Sequence, residues 1–151
     1  TMAGDIEDPN LHEYNVVKDI PAAKIIFEEW PTPVVTSPFE VGIKIQYPGS
    51  SIENDFAWAG HHPVVEAYKA YQAMPYDRPT WDPTAILYAV EGGDWFTVSS
   101  AGNITVTEEG STIFTPGENG TRKYLSVDQN QADSVKAHFI EMIASMPDHR
   151  K

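Results

Sequence analysis

The stretch His12-Glu13-Tyr14-Asn15-Val16-Val17-Lys18-Asp19-Ile20-Pro21-Ala22-Ala23 joins two closely spaced polar residues to the start of a helix. Glu13 and Asn15 stand at i and i+2, so on an extended backbone their side chains point the same way. Such a face offers one acceptor and one mixed donor and acceptor, a set that suits a ligand rich in hydroxyls. Read for structure alone, the two residues are solvated ends of a strand. Asp19 is placed to cap a helix with Pro21 in its first turn, where a missing N–H costs little. Ala23, Ile26, Phe27 and Trp30 follow at i, i+3, i+4 and i+7 as a core-facing stripe, and Pro31 ends the run.

Beyond Pro31, the β-branched Val34-Val35-Thr36 lies between prolines and reads as a buried strand, internal and parallel to its neighbour. Strand, helix and strand in that order form the crossover that builds a parallel sheet, whose ligands bind beyond the carboxyl ends of the strands. Glu13, Asn15 and the turn over residues 37–42 would then share one rim. Residues 41–60 carry few helix signals and include Tyr47-Pro48-Gly49-Ser50-Ser51, so they read as a long loop, the kind often used as a lid, with a helical turn near Gly42. His61 and His62 precede Pro63 and an amphipathic helix marked by Val64, Ala67, Tyr68 and Tyr71. Adjacent histidines diverge on a helix and do not make a metal pair.

Asp82 before Pro83 is a natural N-cap, and the uncharged run 85–90 predicts a helix buried on most sides. After Asp94 the chain turns to short segments: Trp95-Phe96-Thr97-Val98, Ile104-Thr105-Val106-Thr107, Thr112-Ile113-Phe114 and a run over 122–127. Gly102-Asn103, Glu109-Gly110 and Asn119-Gly120 punctuate them, which predicts antiparallel hairpins at the periphery. A last helix starts near Asp128 with Gln131 set for a capping box. Its buried stripe runs through Ala132, Val135, Phe139, Met142 and Met146.

The bulk numbers bound the function. A chain of 151 residues is long enough for one domain with a real core, read as spanning 1–151. A formal charge of −12 opposes nucleic acid or an anionic membrane surface as partner, because both need a basic patch. A neutral small molecule, or a cation among carboxylates, suits it better. With no cysteine, disulfides and thiolate metal sites are excluded, and no apolar run approaches a membrane span. An N-terminal Thr can act as a nucleophile through its own amine, but Thr1-Met2-Ala3-Gly4 reads better as the end of an interior strand.

Glu13-Tyr14-Asn15, with Asp19 and the Ala22-Ala23 pair opening a helix, resembles the ribose-binding segment of the inosine-uridine preferring nucleoside hydrolases. Thr1-Met2-Ala3-Gly4 resembles the Met-Gly-Gly strand end that precedes it there, with Ala3 replacing a glycine. Arg78-Pro79-Thr80-Trp81-Asp82 before an apolar helix resembles the family's late motif, whose Asp ligates calcium and whose preceding residue contacts the base. The likeness runs over most of this chain but covers only the C-terminal half of the family. It implies an α/β fold, a nucleoside-hydrolase-like mixed sheet with flanking helices, C-terminal half only, with the antiparallel hairpin segment peripheral to it.

The resemblance also implies roles. Glu13 and Asn15, with Met2, would hold the ribose, Trp81 the base, and Asp82 a Ca2+ ion. Most of the family has His where Trp81 stands, whereas purine-preferring members resemble this sequence. An indole cannot donate a proton as imidazolium does, but it can stack on a purine for roughly 1–3 kcal/mol. The family's N-terminal Asp-x-Asp-x-x-x-Asp-Asp run, which holds calcium and supplies the base for water, has no counterpart here. Asp5-Ile6-Glu7-Asp8 has the wrong spacing and reads as a solvated acidic turn.

Two functions follow. The first is part of a calcium-dependent nucleoside N-ribohydrolase for purine ribonucleosides, inactive alone and completed by a separate N-terminal half or by a homo-oligomer. The second is a non-catalytic nucleoside-binding or structural module, or a proteolytic fragment, favoured by a lone metal carboxylate with no cluster around it.

Overall fold

The computed structural model describes residues 1–146. Asp19 accepts a hydrogen bond from the Ala22 amide and starts α2 (Ile20–Lys24), as its position before Pro21 predicts. The run continues as a π-helical turn over Ile25–Glu29 and stops at Trp30. Phe27 is the buried member of the stripe, Ala23 is half-buried, and Trp30 is exposed. The Glu13–Asn15 stretch departs from the extended reading. Its side chain caps α1 (Tyr14–Lys18), so Asn15 lies inside a helix and only Glu13 retains extended angles.

Strand β1 (Val34–Thr36) follows, and Met2 bridges Ser37 in parallel, which completes the strand-helix-strand crossover. Residues 41–60 are no loop. They fold as α3 (Phe39–Lys44), β2 (Gln46–Tyr47) and α4 (Gly49–Asn54), with Val41, Ile45, Tyr47, Ile52 and Phe56 all buried. Elements of two to six residues show little periodicity, so burial decides here where local signals are weak. Then come α5 (Pro63–Tyr71), capped by the ring of His62, β3 (Arg78–Pro79) paired antiparallel with β2, and α6 (Trp81–Glu91). Helix α6 buries Thr84 and Leu87 but exposes Ile86 and Val90, contrary to the uncharged run's promise of burial.

The last third supplies β4 (Thr97–Val98), β5 (Gly102–Val106), β6 (Thr112–Pro116), β7 (Arg122–Ser126) and α7 (Gln129–Ala144). The hairpin β5–β6 lies at the sheet edge as predicted. Strand β7 goes inside instead: it pairs parallel with β1 on one side, and antiparallel with β4 and the start of β5 on the other. Asp128 and Gln131 form the predicted capping box of α7, whose Ala132, Val135 and Phe139 are buried while Met142 and Met146 are exposed.

Two apolar clusters result. The larger gathers Val41, Ile45, Leu87, Phe96, Leu125 and Val135 among others, and the smaller sets Val16 and Phe27 against Ile104 and Val106. Arg122, only 3% exposed, ties the two regions. It donates to the carbonyls of Phe27 (2.6 Å), Trp30 (2.8 Å) and Thr32 (3.2 Å), the chain end left open where the π-helical turn stops. The mixed α/β sheet with flanking helices is thus established. Among the described residues no helix is long and apolar enough to cross a membrane.

Candidate functional site

Three segments far apart in sequence meet around one cavity of about 750 Å³. Met2 comes from the N-terminal strand end, Glu13 and Asn15 from the start of α1, and Trp81 and Asp82 from the start of α6; all five line the cavity. Of the turn over 37–42, Phe39 alone reaches it.

Glu13 is 4% exposed, and most of its acceptor capacity goes to the fold. Its Oε2 accepts from the amides of Gly4 (3.1 Å) and Val16 (3.2 Å), its Oε1 from that of Asn15 (2.9 Å). A carboxylate has about four acceptor positions, so roughly one is left for a ligand. Asn15 donates its side-chain amide to the Met2 carbonyl (3.3 Å) and Sδ (3.2 Å). This leaves its carbonyl oxygen without a hydrogen bond among the described residues. The pair therefore offers acceptors, which match the donor side of hydroxyl groups.

Trp81 is held from several directions. Its ring stacks on Phe39 at 5.5 Å between centroids, and its Nε1 donates to the Phe39 carbonyl at 3.3 Å. Thr80, 4% exposed, donates its hydroxyl to the Ile45 carbonyl at 2.7 Å, which locks the residue before it. That bond also removes Thr80 as a side-chain cap, and α6 begins at Trp81 rather than after Asp82. Asp82 therefore sits in the first helical turn, exposed and without a hydrogen-bond partner among the described residues. The predicted capping role is thereby corrected: the helix starts two residues early, and the carboxylate is left at the cavity.

Arg78 and Tyr71 also line this cavity, and the sequence assigned neither of them to a binding site; Tyr71, expected on the buried face of α5, is exposed. The Arg78 guanidinium lies over the Tyr71 ring at 4.0 Å from its centroid. Arg78, Trp81 and Asp82 also border a second cavity, of about 280 Å³, walled by Tyr47, Val64 and Tyr68. His61 and His62 stay out of both; the His62 ring accepts from the Val64 amide and packs on Phe56 at 4.7 Å. Among the described residues no group of three His, Cys, Asp or Glu is placed to hold a metal ion.

No family model matches the sequence, and no curated protein does. Among solved structures, the plant nucleoside hydrolase enzyme PpNRh1 superposes with a TM-score of 0.65 at 17% identity, over 93% of this chain and 52% of that one. The chain thus has a nucleoside-hydrolase-like fold and spans about half the length of that protein.

Proposed function

We propose that this chain is the ribose- and base-holding part of a purine nucleoside N-ribohydrolase, the C-terminal half of an inosine-uridine preferring arrangement. The observation that carries the reading is the convergence of Met2, Glu13, Asn15, Trp81 and Asp82 on one cavity. The acceptors of Glu13 and Asn15 bind sugar hydroxyls, and the indole, backed by Phe39, offers its other face to a flat base. Cleavage of an N-glycosidic bond passes through an oxocarbenium-like state, so groups that orient the ribose act where charge develops.

Calcium needs six to eight oxygen ligands, and among the described residues no cluster of carboxylates supplies them. Asp82 is one free carboxylate, and Glu13 is largely spent on backbone amides. Asp82 would thus be one ligand of an ion whose other oxygens come from outside the chain. The same shortage favours the second reading, a nucleoside-binding module without catalysis of its own.

Calorimetry with inosine tests the binding reading common to both. The chain is expected to bind, and Trp81→Ala to weaken binding roughly 5- to 100-fold, the loss of one stacking face. Inosine affinity indifferent to both Trp81→Ala and Asn15→Ala would remove the cavity from the function.

A further inference from the structure

The two arginines held by side-chain contacts in this fold are used in opposite ways. Arg122 is held by three carbonyls and a hydroxyl and serves structure. The Arg78 guanidinium has no hydrogen bond or ion pair among the described residues, although the chain carries a charge of −12 and carboxylates are abundant. The position of Arg78 is nevertheless restrained. Its backbone is in β3, paired with Tyr47 of β2, and its guanidinium carbon lies 4.0 Å from the centroid of the Tyr71 ring. A planar cation stacked on an aromatic face loses little further freedom when its edge binds, so its donors are pre-organised. They border both cavities together with Trp81, three residues on.

We propose that Arg78 reads the edge of the base and selects 6-oxopurines over 6-aminopurines, an inference that rests on the purine nucleoside reading above. The chemistry is donor counting. A guanidinium offers only donors, in a fork that matches two adjacent acceptors. Hypoxanthine and guanine present O6 and N7 as two such acceptors, whereas adenine presents N7 beside an amino group that is itself a donor. The fork therefore makes two bonds to the first class and meets a donor in the second. The same bonds stabilise negative charge gathering on a departing oxopurine, a task the Trp81 indole cannot perform by proton transfer.

The test is calorimetric titration of the 151-residue chain with inosine, adenosine and 7-deazainosine. Inosine is expected to bind roughly 5- to 100-fold more tightly than adenosine, the range for one bidentate pair against the wrong base. Deleting N7 in 7-deazainosine should remove much of that advantage without any change to the protein. Arg78→Lys keeps the charge but not the fork, and should bring inosine and adenosine near parity with circular dichroism unchanged. Equal affinity of the parent for all three nucleosides would overturn the role of Arg78 and leave the nucleoside site standing. No binding of any nucleoside would overturn both.

Discussion

Glu40 is the carboxylate the fold treats worst. It is 5% exposed, its Oε1 accepts from the Ile6 amide at 3.0 Å, and its Oε2 has no partner among the described residues. Burial pushes its pKa up to about 7, its own backbone amide opposes this, and the charges of Asp5 and Glu7 add to the rise. Since the folded value exceeds the unfolded one of 4.5, the native state binds more protons between them. Stability is therefore expected to fall as pH rises from about 4.5 to 7, by on the order of 2 kcal/mol. Urea titrations across that range should show the slope, and Glu40→Gln should flatten it. Gly42 is set by contact with the site: a Cβ there would lie 2.3 Å from Trp81 Cδ1 and 2.7 Å from its Cα. Alanine gains about 1 kcal/mol of helix propensity, yet overpacking against fixed atoms costs about 1–3 kcal/mol. Gly42→Ala is thus expected to destabilise on balance and to weaken inosine binding by moving the indole. Asp82→Asn should change thermal stability by less than about 0.5 kcal/mol, since Asp82 caps nothing and its favourable first-turn charge is exposed. What the sequence made legible here was that Met2, Glu13, Asn15, Trp81 and Asp82 belong together, since all five line one cavity. The partners of Glu13 and the freedom of Arg78 were hidden, because both depend on which backbone amides and carboxylates arrive from elsewhere.

Helix ends were easier to read than helix faces. Asp19 and Asp128 cap where their spacing says they should, because a cap is a local bond over three residues. The segment 41–60 was misread as a loop because α3, β2 and α4 are too short for periodicity, and their stability comes from Ile45, Tyr47 and Ile52 meeting α7 and β7. The uncharged α6 misled in the other direction, since lack of charge does not say which side has a neighbour. Strand β7 carried hairpin signals at its entrance, Asn119-Gly120, but no local signal for its parallel pairing with β1. Arg122 is what joins that strand to the end of the π-helical turn. Arg122→Met would leave three carbonyls without a donor, and is expected to cost about 2–4 kcal/mol in urea denaturation. Lys at the same position, a single point charge without the fork, should recover only part of it.

At the level of the entire chain, a nucleoside-hydrolase-like fold spanning about half of its solved counterpart brings the proposed sugar- and base-holding residues to one cavity, with no cluster of metal-holding carboxylates among the described residues. The purified chain is therefore expected to release no base from inosine or adenosine above background, with or without calcium, in a product assay. Binding and hydrolysis should come apart, and binding is the part assigned to these residues. The most direct measurement is an amide and side-chain NMR titration of the chain with inosine. Shift changes are expected to cluster on Met2, Asn15, Arg78, the Trp81 indole N–H and Asp82, which converge on one cavity from separate segments. No saturable shift, or shifts confined to the exposed apolar face of Ile86, Val90 and Met142, would contradict that assignment.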